Sequence, residues 1–229
     1  MSTQSPPGYQ PRLPRLGRRE RHDPTMVRRR GKELRERGLA AVALLPAAPL
    51  MLGIAVAIKV EGLFDRSARG PVFFIEQRIS RGRAIDLVKF RTIDADALGQ
   101  LGEGPSHIKR FERAGQVTRV GEWLKNWYLD ELPQILNIVA GDMFVIGTRP
   151  YPLDAYEAEL DMGRTRKYEM PGGLVGPVQS YKGVQSPSEY DLDLEYWEAF
   201  ATWSPWSLLK LDGQILRRSV KVQLAHEGR

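Results

Sequence analysis

The chain contains no cysteine. That absence excludes disulfide bonds, thiolate metal sites and cysteine nucleophiles. Histidine is nearly as scarce: His22, His107 and His226 stand far apart, which argues against a histidine-built metal centre. Charge is missing from one long run, Leu39–Ile58 (LAAVALLPAAPLMLGIAVAI), 20 residues with no charged side chain. Surplus positive charge is missing from most of the rest. The net charge of +6 arises in residues 1–38, which hold 11 Arg and Lys against 4 Asp and Glu, whereas the other 191 residues hold 23 against 24. The basicity is a tail, not a face. A basic arm can bind nucleic acid, but no aromatic interleaving and no nucleic-acid motif accompanies this one, so no nucleic-acid partner is expected. The rival reading, a membrane-tethered nucleic-acid binder, rests on the tail alone.

At 229 residues the chain can bury one good core and carry a membrane appendage. Residues 1–32 are proline-rich and basic and read as a disordered tail. The apolar run beyond it is long enough for a hydrocarbon core of ~30 Å. It lies too late in the chain, behind too many arginines, for a cleavable signal. Pro46, Pro49 and Gly53 sit in its middle, and two prolines three apart should bend a helix sharply. Arg28, Arg29, Arg30, Lys32, Arg35 and Arg37 precede the run, and Lys59, Arg66 and Arg69 come after it. The positive-inside rule asks for both ends on the cytoplasmic side. A broken helix that returns through the leaflet it entered satisfies this. A plain single-pass anchor is the alternative.

Residues 123–150, WLKNWYLDELPQILNIVAGDMFVIGTRP, carry the most chemistry. Asp130 and Glu131 open an amphipathic run in which Leu132, Ile135, Leu136, Ile138 and Val139 recur at helical spacing. Gly141-Asp142 ends it, and a β-prone Met143–Ile146 leads into Gly147-Thr148-Arg149-Pro150. Two readings fit. Acidic residues in a first turn beside Pro133 are ordinary capping chemistry. Adjacent carboxylates near a Gly/Arg/Pro turn are also what a magnesium-assisted phosphate site needs, oxygen ligands for the cation and a guanidinium for the phosphate.

This stretch resembles the signature of the bacterial sugar transferase family, monotopic phosphoglycosyl transferases that load a phosphosugar onto polyprenol phosphate. Leu129–Gln134, Asn137, Gly141-Asp142-Met143 and Gly147, Arg149 and Pro150 carry the resemblance. Around it, Gly70-Pro71-Val72-Phe73-Phe74 and Ile85–Arg91 read as two strands about a turn at 79–83. They are similar to the family's strand pair, with Arg78 at an arginine position. Pro171–Gln179 resembles a later Pro-Gly loop, preceded by Arg166, and Asp193 and Tyr196 match an Asp-x-x-Tyr element. Pro49 corresponds to the family's helix hinge. The chain departs from the pattern at Ala48 (serine), Ser80 (glycine), Ile93 (methionine), Lys125 (arginine), Tyr128 (serine), Thr148 (proline) and Met170 (arginine).

The resemblance implies a mostly helical α+β protein. It comprises a proline-broken re-entrant membrane helix over 33–60, hinged at Pro49 and Pro46, and a small catalytic core with short strands over 61–222. A short tail fills 223–229. It implies a nucleotide diphosphate sugar and polyprenol phosphate as substrates, the lipid bilayer as partner, and Mg²⁺ as cofactor held by Glu131. Self-association is left open. Asp130 would be the nucleophile in a two-step relay, while Arg149, Lys125, Lys89, Arg91, Arg78, Arg166 and Asp193 would attend the phosphates. The implied location is the cytoplasmic face of the bacterial inner membrane. A catalytically impaired scaffold of the same fold is the rival that the departures raise, and retention of Asp130 with Glu131 argues against it. Near the C-terminus Trp197, Phe200, Trp203 and Trp206 crowd together. Such a cluster packs a core by default. Beside a membrane helix, amphipathic helices lying on the bilayer surface are the favoured reading.

Overall fold

The computed structural model describes residues 29–100, 108–162, 169–181 and 188–224. The expectations for the basic tail up to residue 28, for His22, His107 and His226, and for Arg166 fall outside these residues, whereas residues 30–32, expected in that tail, are the first turn of a helix in which Lys32 is buried by its ion pairs. The described part is mostly helical, with two small two-stranded sheets.

The apolar run lies inside one helix, α1 (Arg30–Phe64), which continues through both Pro46 and Pro49. The break expected at the prolines is therefore not seen as an interruption. Both rings lie exposed on the outer side of the helix, away from the body, where the carbonyls they leave without a donor meet no packed neighbour. The buried positions Lys32, Glu36, Ala40, Ala47, Met51, Ile54, Ile58 and Gly62 recur at helical spacing and form a single stripe. Leu39, Val42, Leu45, Leu52 and Val56 face the other way and are exposed. α1 is thus apolar on both sides, with only one side covered by protein.

Polar contacts fasten both ends of α1 to the same body. At its start, Lys32 Nζ lies 2.5 Å from Glu36 and 2.6 Å from Asp212, and Glu36 accepts from the Val145 amide at 2.7 Å. Arg29 donates to the carbonyls of Phe200 and Trp203. At its end, Lys59 donates to the Gly70 carbonyl at 3.0 Å, and Glu61 accepts from the Arg119 amide at 2.7 Å.

The hairpin β1 (Phe73–Ser80) and β2 (Arg83–Phe90) is antiparallel with Ser80 opposite Arg83. Arg81 and Gly82, both at positive φ, make the two-residue turn. The first strand begins later than Gly70, and the turn is tighter than the 79–83 span expected. Ser80, where the family has glycine, donates to the Asp142 carbonyl at 2.9 Å and accepts from the Gly172 amide at 3.0 Å, so the hairpin tip is tied to two loops.

Short helices α2 (Ala95–Gln100), α3 (Ile108–Arg113) and α4 (Arg119–Asn126) lead to a 3-10 turn at Leu129–Glu131 and then α5 (Gln134–Ala140). The amphipathic run expected from Asp130 is therefore two elements, divided at Pro133. A parallel pair, β3 (Phe144–Ile146) and β4 (Gly173–Val175), flanks α6 (Leu153–Asp161). The chain closes with α7 (Glu189–Thr202) and α8 (Pro205–Leu224).

Four apolar clusters hold the described residues together, the smallest being Ile93, Ala97 and Phe111. One packs α1 against α4 and β2 through Met51, Ile54, Ile58, Phe90 and Leu124. A second joins α1, β2 and α5 through Ala40, Ile85, Leu87 and Ile138. A third gathers Phe144, Ile146, Met170, Tyr196, Trp197 and Phe200. Each fully buried Ile or Phe contributes roughly 1.5–3 kcal/mol. The C-terminal aromatic cluster divides accordingly. Trp197 and Phe200 are core, whereas Trp203 and Trp206 are exposed. Met170, standing where the family has arginine, belongs to that same core.

Candidate active site

Alternation along β1 sets one wall of a cavity of about 490 Å³. Phe74, Glu76 and Arg78 point into it while Phe73, Ile75 and Gln77 are exposed, as a period of two requires. Lys89 and Phe90 of β2 continue that wall. Lys125 at the end of α4, Tyr128, Asp130 and Glu131 form the opposite wall, with Glu112 behind them. Arg149, Pro150 and Tyr151 close one end, with Glu189.

The approach to Asp130 is held by an unusual turn. After α4 the backbone passes through Tyr128 at φ 56°, ψ 23°, a left-handed conformation costing a bulky residue roughly 1–2 kcal/mol. This reverses the chain and delivers Asp130 and Glu131 to the cavity. Asn137 anchors the next helix. Its side chain accepts from the Val88 amide at 3.1 Å and donates to the Asp86 carbonyl at 2.8 Å, so α5 is bound to the edge of β2. Gly141 at φ 89° ends α5.

Arg149 is positioned by backbone packed on backbone. The Thr148 amide and hydroxyl both donate to the Pro171 carbonyl, at 3.1 and 3.2 Å, and the Gly173 amide donates to Thr148 O at 2.7 Å. A proline at 148 has neither donor, so threonine supplies the rigidity of this turn by hydrogen bonding. A Cβ on Gly173 would lie 2.2 Å from Gly147 N. Only glycine allows this approach. The Gly147–Pro150 and Pro171–Gln179 motifs, separate in sequence, thus lie side by side at the end of the β3–β4 pair.

Charges in the cavity alternate in sign. Arg78 lies 2.5 Å from Glu76, Lys89 lies 3.2 Å from Glu76 and 3.7 Å from Glu131, and Lys125 lies 3.0 Å from Glu112. Arg78 also donates to the Pro150 carbonyl at 3.4 Å. Among the described residues Arg149 makes no ion pair, so its fork is open toward an anion. Burial and then the neighbouring Glu131 carboxylate push the Asp130 carboxyl up to about 7, against the pull of Lys89. Burial also acts to raise Glu76, but Lys89 and Arg78 outweigh it and hold that carboxyl below its usual range.

The predicted site residues therefore fall into groups. Asp130, Glu131, Lys89, Lys125, Arg78 and Arg149 come together around one cavity. Arg91 does not join them. Its guanidinium is buried and donates to the carbonyls of Pro71, Ile93 and Ala68 at 2.9, 2.5 and 2.7 Å. It knits the hairpin to the end of α1 and is not free for phosphate. Asp193 is fully buried on α7 and does not line the cavity either. The sequence reading missed Glu76 and Glu112. The two-residue alternation of Phe74, Glu76 and Arg78 could have revealed Glu76. Glu112 leaves no local signal, because only tertiary packing brings it to Lys125.

No group of three or more potential ligating side chains gathers as a protein-only metal cage among the described residues. The adjacent carboxylates of Asp130 and Glu131 are nonetheless a fitting oxygen donor pair for Mg²⁺, which binds through one or two carboxylates, waters and substrate phosphates.

Residues 27–226 match the sequence profile of the family described as bacterial sugar transferase. A protein of Caulobacter vibrioides named UDP-glucose:undecaprenyl-phosphate glucose-1-phosphate transferase is 34% identical over 195 residues, covering 78% of this chain and 67% of the relative. One of the same name from Xanthomonas campestris is 32% identical over 187 residues, covering 76% of this chain and 36% of that protein. An Aeromonas hydrophila UDP-N-acetylgalactosamine-undecaprenyl-phosphate N-acetylgalactosaminephosphotransferase is 32% identical over 176 residues, 72% of this chain and 38% of its own. The chain thus spans little more than a third of the Xanthomonas and Aeromonas relatives. With the profile matched over nearly its whole length, and Asp130, Glu131 and Arg149 lining one cavity, the chain belongs to the bacterial sugar transferase family.

Proposed function

We propose that this protein transfers a sugar-1-phosphate from a UDP-sugar to a membrane polyprenol phosphate by a two-step relay through Asp130. The observation that carries the reading is the adjacent pair Asp130 and Glu131 in a cavity that four cations also line: Lys89, Lys125, Arg78 and Arg149. Both substrates are anionic and repel each other, and a covalent intermediate divides one difficult displacement into two.

In the first step an Asp130 carboxylate oxygen attacks the phosphorus that bears the sugar. A P–O bond of the phosphoanhydride breaks, UMP leaves with the electron pair, and a phosphosugar-aspartate remains. In the second step an oxygen of polyprenol phosphate attacks the same phosphorus and the acyl-phosphate bond breaks, which restores the Asp130 carboxylate. Asp130 must be ionised to attack, and Lys89 favours that form. Arg149 would clamp a phosphoryl oxygen, with Lys125 beside it, where charge develops in transit. Glu131 would hold Mg²⁺, which when bound neutralises diphosphate charge.

The same proposal places the protein at the cytoplasmic face of the inner membrane as a monotopic enzyme. Support comes from α1, whose two ends are fastened to one polar body while its outer apolar side is exposed. Pro46 and Pro49, on the uncovered side, are where the helix is free to bend into a single leaflet. The test is UMP release from a panel of UDP-sugars with undecaprenyl phosphate. Release that requires the lipid phosphate for repeated turnover supports the reading. No release from any UDP-sugar overturns it.

A further inference from the structure

Both walls of the cavity hang from one turn of α1, residues 59–62, just past the apolar run. The hairpin wall is fastened there by Lys59 donating to Gly70 O at 3.0 Å and by Arg69 donating to Gly62 O at 3.1 Å. Arg91, two residues beyond Lys89, extends this joint through the carbonyls of Ala68 and Pro71. The opposite wall begins at α4. There Glu61 accepts from the Arg119 amide at 2.7 Å and from the Val120 amide at 3.3 Å to each carboxylate oxygen. Thr118 caps the Gly121 amide at 2.9 Å. First-turn amides have no partner inside their own helix, and a carboxylate there also meets the positive end of the helix dipole.

α4 is short and stiff, and it ends one turn before Asp130. Its Gly121 abuts Thr92 so closely that a Cβ would lie 2.2 Å from the Thr92 carbonyl oxygen. That contact sets how closely the start of α4 approaches β2, while Leu124 packs the helix into the cluster of Met51, Ile54 and Ile58, so the Glu61 cap adds the polar fastening at its first turn. We infer that Glu61 is a positioning residue, which caps α4 from the membrane helix and so holds the Lys125–Asp130 wall in register with the Lys89–Arg78 wall. The inference rests on the function proposed above and adds to it a joint between the bilayer-facing helix and the nucleophile.

The test uses the full chain in membranes, with undecaprenyl phosphate and the best UDP-sugar of the panel. Glu61→Ala should lower kcat about tenfold, as small misplacements of reacting groups do, with the nucleotide-sugar KM within about twofold of wild type. Glu61→Gln keeps an acceptor oxygen at the same reach and should restore most of the loss. Arg119→Pro removes the partner amide from the other side. Proline is favoured at the first helical position, and the extended backbone of Thr118 (ψ 160°) suits a residue before proline. It should reproduce the kcat loss of Glu61→Ala, and the double variant should be no worse than either, since one interaction cannot be lost twice. Arg119→Ala, which keeps the amide, should match wild type. If Glu61→Ala does not fold, Glu61→Gln and Arg119→Pro carry the comparison. An active wild type with Glu61→Ala unimpaired, or with additive losses in the double variant, overturns the inference alone. A wild type inactive on the whole panel overturns the functional reading and this inference with it.

Discussion

Asp130 is the side chain on which the chemistry turns, and its surroundings make a definite statement about pH. Its carboxyl is pushed up to about 7 by burial and by Glu131. A group whose folded-state pKa is raised holds its proton more tightly in the folded chain than in the unfolded one. Stability therefore falls as pH rises between the unfolded value near 4 and about 7, and the deficit is complete above that. Asp130→Asn should accordingly be more stable than wild type at pH 8, by on the order of 4 kcal/mol, and close to it near pH 4. Thermal melts of the two proteins at both pH values check this; equal melting at pH 8 would mean the carboxyl is not raised. The same cause governs activity. The acid limb of kcat/KM should fall near pH 7, and Glu131→Gln should move the limb of its residual activity to lower pH, because the neighbouring negative charge is gone. A limb that stays in place would separate Glu131 from the titration of Asp130.

Among the elements, the paired strands β3 and β4 are the least tolerant. Gly173→Ala would drive a Cβ to 2.2 Å from Gly147 N and 2.4 Å from Gly147 Cα, so the strands must part and Arg149 must shift. We expect a loss of about 3 kcal/mol in denaturant unfolding, with turnover falling along with it; a variant of wild-type stability would show that the sheet relaxes freely. Much at this scale was legible in the sequence. Two β-prone runs about a Gly/Ser/Arg turn gave the hairpin, and Gly141-Asp142 gave the end of α5. The Asp130 turn was less legible, because a tertiary setting holds Tyr128 left-handed and splits a run that reads as one helix. Arg91, open in the sequence to either a phosphate or a structural role, shows the same limit. An arginine in a strand looks the same whether it meets phosphate or the carbonyls of Ala68, Pro71 and Ile93. Glu112 lay beyond sequence reasoning, since only the packing of α3 brings it to Lys125.

At the scale of the whole molecule, the question is how a helix apolar on both sides serves a body of near-neutral charge. The flanking arginines and lysines motivate the proposed same-side arrangement, and Lys32–Asp212 and Glu61–Arg119 fasten both ends of α1 to one body. Of the C-terminal aromatics, Trp203, whose carbonyl accepts from Arg29, and Trp206 are exposed, whereas Trp197 and Phe200 went to the core. Because the chain has no cysteine, Arg30→Cys and Arg66→Cys, one at each end of α1, are clean probes. In intact cells neither should react with a membrane-impermeant thiol reagent, and both should react once the inner membrane is opened. Labelling of either from outside would favour a single span.

The central claim is that the phosphosugar passes through Asp130, and intact-protein mass spectrometry tests it most directly. Incubated with the competent UDP-sugar and without polyprenol phosphate, wild type should gain the mass of one sugar phosphate. Adding undecaprenyl phosphate should discharge it, and Asp130→Asn should gain nothing. An adduct that persists in Asp130→Asn, or a wild type that turns over with no adduct and no UMP released before the lipid is added, would contradict the account.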